Sequence, residues 1–256
     1  MVTDGLTRVA PVADAEVSRC LFLIWQNPES RKFIRVGSLY ELVDGRFAFA
    51  YTDDAVAAED FYPLTQFPDL DRIYVSTGLP AFFVNRLMSR KRESFSGYLR
   101  SLGIDSPELD TPMELLARTG GPRETDTFHL VDDFVADAHG LVTSRFLASG
   151  VRHLDPEGAR LATLDDGDRL QLCSNRNNPK NERAQLICIG TGEPVGYVPD
   201  WLLADLEDLQ ARSSELTVIA ERVSPHAQPH LRLLCRVEAR VSVDRLGSTD
   251  SEVRRI

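Results

Sequence analysis

Three short stretches in the second half of the chain carry residue types that suit a phosphate and a planar base. Arg152-His153 sets a guanidinium, whose fork engages phosphate oxygens two at a time, beside an imidazole flat enough to stack. Asn177-Asn178-Pro179-Lys180-Asn181, flanked by Arg176 and Arg183, is a locally basic loop in which Lys180 attracts phosphate as a point charge. Gly196-Tyr197-Val198-Pro199-Asp200-Trp201 offers an aromatic ring at Tyr197 and, after Pro199, a helix start that favours an anion. Arg152, His153, Arg176, Asn178, Lys180 and Tyr197 are therefore the candidate binding residues of these stretches. Each has a plainer reading as well. Arg152 and His153 also fit a surface pair at a strand end, Asn-Asn-Pro also fits turn chemistry, and Tyr197 and Trp201 also fit core packing.

Other chemistries find less support. Arg86, Arg90, Lys91, Arg92 and Arg100, set against Glu93, form a basic patch that reads better as a solvated helix face than as a contact for nucleic acid or an acidic partner. His226 and His230 are separated by Pro229 in a turn, so helical ligand spacing does not apply. The four cysteines (Cys20, Cys173, Cys188, Cys235) include no CxxC pair and read as reduced core thiols, so neither zinc nor another cofactor is expected. No GxSxG elbow, no GxxxxGK[ST] loop and no HxD…N pattern placed for phosphotransfer is present, and the chain reads as non-catalytic.

These residues need a scaffold, and the punctuation of Phe146–Leu206 suggests a small β-barrel carrying one helix. A strand is expected over 146–153, a short helical link over 156–164, and a strand from the Asp165-Asp166-Gly167-Asp168 turn through Cys173. An apolar strand over 184–189 follows, closed by the Gly190-Thr191-Gly192-Glu193-Pro194 turn. Leu202, Leu203, Leu206 and Leu209 then repeat at helical spacing after Pro199. Long antiparallel strands are expected at 215–223 and 230–243. In the first half, strands at 20–26, 32–40 and 45–51, with Phe47, Phe49 and Tyr51 alternating and an Asp44-Gly45 hairpin turn, make a meander. Helices are expected from Pro80, over 92–102, and over 111–118, the last capped by Thr111 with Glu114 three residues on. A strand at 128–132 and a polar link through Gly140 lead to the second half.

Four motifs in order, Gly150-Val151-Arg152-His153, Gly167-Asp168-Arg169-Leu170, Asn177-Asn178-Pro179 and Gly196-Tyr197-Val198-Pro199, resemble the HIRAN domain. The resemblance implies a modified OB-like barrel that holds the 3′ end of single-stranded DNA and accompanies DNA-remodelling and repair enzymes. It implies DNA as the ligand of the six candidate binding residues, and it places Arg152 on phosphate and His153 beside a base. This sequence departs from the family by carrying Lys180 at an aromatic position, Asn181 at an Asp position, and Asp200 near an expected basic residue. The first half resembles the N-terminal subdomain of HipA-type toxin kinases, through the meander with Asp44-Gly45-Arg46, Leu79–Leu87, Tyr98–Ile104 and Gly120-Gly121. That subdomain also exists as a separate protein restraining a kinase partner.

At 256 residues with 43% hydrophobic content the chain can bury the core of one large or two ordinary domains. Its net charge is −10, and the halves are alike: residues 1–127 carry 14 basic and 19 acidic groups, residues 128–256 carry 15 and 20. A protein wrapping duplex DNA would be broadly basic, so any nucleic-acid contact here should be small and salt-sensitive. The expected organisation is α+β: a tail (1–18), a HipA-N-like β-meander with helices (19–127), a HIRAN-like OB-type barrel (128–244) and a second tail (245–256). With no membrane-length apolar run and no secretory leader, a cytoplasmic location is expected. The leading expectation is a non-catalytic protein recognising single-stranded DNA or DNA ends in repair, mobile-element or defence biology. A second is a toxin–antitoxin interaction protein binding a kinase-like partner. A third is an accessory subunit of a nuclease or hydrolase acting on nucleic acid or acid anhydrides.

Overall fold

Phe47, Phe49 and Tyr51 set the first core. They lie on β3 (Phe47–Tyr51), which pairs with β2 (Phe33–Leu42), itself paired with β1 (Val17–Gln26). The computed structural model describes residues 16–241 and divides into two units, one of residues 16–88 and 112–133, the other of 89–111 and 134–241. The first unit's sheet is antiparallel in the order β4-β3-β2-β1-β5, with β4 at Tyr74–Ser76 and β5 at Phe128–Asp132. The Asp44-Gly45 turn joins β2 to β3 as expected: Gly45 has φ +82°, and the Asp44 carboxylate accepts the Arg46 N–H at 3.0 Å.

Leu21, Leu23 and Trp25 alternate into the core, where they meet Phe49, Phe61, Phe67 and Phe83. Helix α1 (Asp53–Ala57) is capped by the Thr52 hydroxyl, which accepts the Ala55 N–H. The helical run expected from Pro80 is only α2 (Ala81–Val84), whereas Pro112–Thr119 forms α4, which brings Met113 and Leu116 to the same core. The backbone must come close at Gly37, where an added Cβ would lie 2.6 Å from the Phe49 ring. Among buried aromatics Tyr51 keeps its hydroxyl satisfied, donating to the Phe67 carbonyl at 2.9 Å and accepting the Leu64 N–H at 2.7 Å.

The second unit is built on a six-stranded antiparallel sheet in the order β6-β11-β10-β7-β8-β9. Its strands are β6 (Leu141–Leu147), β7 (Arg169–Ser174), β8 (Gln185–Cys188), β9 (Pro194–Tyr197), β10 (Ser213–Val223) and β11 (Leu233–Val241). The sheet curls back on itself. Past β6, Ser149 and Tyr197 exchange two backbone hydrogen bonds, of 2.9 and 2.8 Å, which join the last strand to the chain leaving the first. The leucines expected on a helix sit on a 3-10 turn (Asp200–Leu202) and α6 (Leu203–Arg212), with Leu203, Leu206 and Leu209 buried against β10 and β11. This unit also holds α3 (Phe95–Ser101).

The structure corrects several local expectations. The strand foreseen to His153 stops at Leu147, because Gly150 turns the chain at φ +66° and starts the one-turn helix α5 (Val151–Leu154). The helical link over 156–164 is a three-residue 3-10 turn, Leu161–Thr163, capped by the buried Asp155, which accepts the Leu161 N–H at 2.9 Å. β11 begins at Leu233, since Pro229–Leu231 forms a 3-10 turn. Phe128–Asp132, read as the head of the second domain, pairs with β1 in the first sheet. Residues 89–111 group with the barrel. The tails at 1–18 and 245–256 lie outside the described residues except for Glu16, Val17 and Ser18, of which the last two belong to β1.

Candidate nucleic-acid interface

Tyr197 is the residue around which the candidate side chains gather. As the last residue of β9 its backbone makes the closing bridge to Ser149, and its half-buried ring lies against the Gly150 backbone, where a Cβ would come 2.8 Å from Cδ2. Two and three residues past Gly150 come Arg152 and His153, both exposed on α5, with the Arg152 Nε donating to His153 Nε2 at 2.9 Å. On the other side the Tyr197 hydroxyl stands 3.5 Å from Asn175 Nδ2, at the root of the β7–β8 loop. Tyr197 therefore touches both the segment holding Arg152 and His153 and the loop holding Arg176, Asn178 and Lys180.

The correction to α5 changes how Arg152 and His153 are presented. One helical turn projects them from an element that packs on β9 and on the Pro229–Leu231 turn, instead of from a strand end. Arg160 braces this arrangement, donating to the Leu154 carbonyl at 2.7 Å and the Pro194 carbonyl at 2.9 Å. The loop is closed at its base by the Asn175 N–H on the Ala184 carbonyl, 2.8 Å. Within it Asn178 Oδ1 accepts the Lys180 N–H at 2.9 Å and Asn181 Oδ1 accepts the Arg183 N–H at 3.0 Å, so the turn chemistry read from Asn-Asn-Pro is present. Arg176 and Lys180 are exposed.

Charge pairing separates these cations from their neighbours. Arg145, Arg160, Arg183, Arg212, Arg222 and Arg236 are ion-paired, and Arg232 donates to the carbonyls of Ala227, Asp155 and Pro156. Among the described residues 134–241, neither an ion pair nor a carbonyl holds Arg152, Arg176 or Lys180, and the same is true of Arg169 and Arg240. Three of those five cations belong to the two segments that Tyr197 touches. Sequence reasoning missed Ser149, Asn175 and Arg160, which build the site's frame. Asn175 carried a weak signal as one of three asparagines within four residues.

Two members of the basic patch read in the first half are already held by partners. Arg86 is buried, donating to the Gly121 carbonyl at 2.8 Å and Asp126 at 2.7 Å with its guanidinium 4.3 Å above the Phe82 ring, and Arg90 is held by Asp110 at 2.5 and 2.8 Å. Lys91, Arg92 and Arg100 are exposed. Sequence reasoning also missed an ion cluster of Arg19, Glu114, Arg118 and Asp132, in which Arg118 is 2% exposed. Burial holds the Asp132 carboxyl above its ordinary pKa, whereas the Arg19 and Arg118 charges outweigh burial at Glu114 and lower it. Every member has an opposite charge within reach, and the cluster reads as a brace between β1, α4 and β5.

Cys173 and Cys188 stand diagonally across β7 and β8, and Cys235 is fully buried. Burial pushes the Cys188 thiol up to about 12. No group of three or more His, Cys, Asp or Glu is placed to hold a metal among the described residues, and no helix among them is long and apolar enough to cross a membrane.

No family model matches the chain, and no curated protein matches it. A crystal structure of a Lactobacillus plantarum protein solved by a structural genomics consortium aligns with 40% of this chain and 100% of its own, at 17% identity and a TM-score of 0.32. The crystal structure of the HIRAN domain of human HLTF aligns with 46% of this chain and 93% of its own, at 13% identity and a TM-score of 0.34.

Proposed function

We propose that this protein binds nucleic acid through the barrel, taking a single-stranded or terminal segment over Tyr197 with Arg152, Arg176 and Lys180 on its phosphates. The observation that carries the reading is the pairing pattern. In an acidic chain whose arginines over residues 134–241 are mostly held by carboxylates or carbonyls, three of the five cations in that range held by neither lie on the two segments flanking one half-exposed aromatic ring. A ring between cations is the arrangement that single strands use, because every base has a face to stack and every linkage a charge. The order of the four HIRAN-like motifs supports the same site, and His153 and Asn178 are its remaining members.

Three phosphate-directed cations make a modest electrostatic contact. The slope of log K against log salt should therefore be about −2, corresponding to roughly three neutralised phosphates on a single strand. Fluorescence anisotropy of the full chain with oligonucleotides ending in 3′-hydroxyl, 3′-phosphate or a blocked 3′ group measures both the slope and any preference for an end. Equal affinity for all three would remove the end-binding element and leave strand binding. A slope several times steeper would show a broad surface instead of this site, and no binding to any single strand at low salt would sink the proposal.

A further inference from the structure

We propose that Asp200 and Glu207 are positioning residues of this interface, latching the 175–184 loop to the 3-10 turn and α6 that follow β9. The proposal rests on the nucleic-acid reading for its binding consequence and on geometry for the latch. Asn181 faces both ways: its Oδ1 accepts the Arg183 N–H at 3.0 Å inside the loop, while its Nδ2 donates to Asp200 Oδ1 at 2.8 Å outside it. Two residues on, the Arg183 guanidinium forks onto the Glu207 carboxylate, with Nε 3.3 Å from Oε1 and Nη2 on Oε2. Asp200 opens the 3-10 turn and Glu207 lies on α6, whose leucines are anchored in the barrel core, so both carboxylates are fixed to a rigid support. The loop carries Lys180 one residue before the first latch point and Asn178 just ahead of that.

Charge alone makes the opposite forecast. A carboxylate beside an anion site repels the ligand, so removing Asp200 or Glu207 should tighten binding. A latch reverses the sign, because a freed loop must be ordered again when the ligand arrives. Exposed contacts of this kind are individually weak, which suits a loop held in place without being locked.

The two accounts separate in the full-length chain through amide exchange and oligonucleotide anisotropy together. Asp200→Ala should speed exchange at the Lys180 and Arg183 amides and weaken single-strand binding by about threefold or more, the effect of one lost ordering hydrogen bond, despite removing a negative charge. Asp200→Asn keeps an oxygen for the Asn181 Nδ2 and should retain slow exchange with affinity at or above that of the unaltered chain. Glu207→Ala should repeat the Asp200→Ala result, and Glu207→Gln should fall between the two, because its amide keeps one acceptor oxygen for the Arg183 fork and places a donor where the second oxygen was. If Asp200→Ala binds as tightly as the unaltered chain or more tightly, or if Asp200→Asn matches Asp200→Ala in both measurements, the carboxylates act by charge only and the proposal is overturned. If the unaltered chain binds no oligonucleotide, the nucleic-acid reading and the binding half of the proposal both fail. Unchanged exchange in Asp200→Ala would then dispose of the latch as well.

Discussion

Arg152 and Lys180 differ from most arginines of the barrel in what already holds them, and that difference sets their expected behaviour. Neither is ion-paired among the described residues, so Arg152→Ala and Lys180→Ala should leave stability almost unchanged while each weakens oligonucleotide binding by about 1–2 kcal/mol, the worth of a charge-assisted contact. Arg169 and Arg240 are the proper controls, since they lie outside ion pairs too but away from Tyr197, and their alanine variants should cost much less. Arg232 and Arg236 are poor controls: one holds three carbonyls and the other is paired with Glu221 and Glu238, so their loss would lower stability first. Equal losses at Arg152, Lys180, Arg169 and Arg240 would show diffuse attraction without a site. A second residue-scale prediction concerns His129 on β5, which burial and the nearby Arg86 charge depress from 6.5 to about 4. The folded chain then binds fewer protons than the unfolded one between those values, so this contribution to stability is fully present above about pH 6.5 and is lost as the pH drops toward about 4, by something on the order of 3 kcal/mol. Denaturant unfolding at a series of pH values should show this slope, and His129→Gln should flatten it.

At the scale of elements, β9 organises the site, because its four residues close the barrel, support α5 and present Tyr197. Gly150 is where that support is most exacting. Its φ of +66° is costly for a side chain, and a Cβ there would meet the Tyr197 ring at 2.8 Å. Gly150→Ala should therefore destabilise the barrel by about 1–3 kcal/mol through strain and displacement of the ring, and should weaken binding as Arg152 shifts with α5. Chemical denaturation reads the first effect and anisotropy the second. A variant with unaltered stability would show that the ring yields freely. The same position explains what was and was not legible in the sequence. Period-two patterns set by a buried face were readable, as in Phe47, Phe49 and Tyr51 or in Leu233, Cys235, Val237 and Ala239. The end of β6 was not, because Ser-Gly-Val-Arg-His has strand-like composition and the turn depends on Gly150 meeting Tyr197 from a distant strand. Arg86 and Arg90 misled for the same reason: their partners Asp126 and Asp110 are remote in sequence and visible only once the chain is folded. The candidate site residues were legible as types, whereas the loop's attachment to Asp200 and Glu207 was not.

At the scale of the whole molecule, the two units are interleaved in sequence, and this makes a separable prediction. Residues 89–111 group with the barrel although 112–133 belong with the first sheet, and Asp105 within that insert pairs with Arg222 on β10. Buried Tyr98, Leu102 and Ile104 give the insert an apolar side. A fragment of residues 134–256 contains all six barrel strands and should unfold cooperatively, but with less stability than the barrel in the intact chain. Starting the fragment at 128 should not help, because Phe128–Asp132 has lost β1 and its amides should exchange as unstructured backbone. Supplying a synthetic 89–111 peptide in excess should raise the melting temperature of the 134–256 fragment in a concentration-dependent way, as expected for a ligand that binds only the folded state. Arg222→Ala should reduce that gain by removing the partner of Asp105. If the peptide changes nothing at large excess, the insert is not an integral part of the barrel unit, and residues 134–256 would then be the whole of that unit.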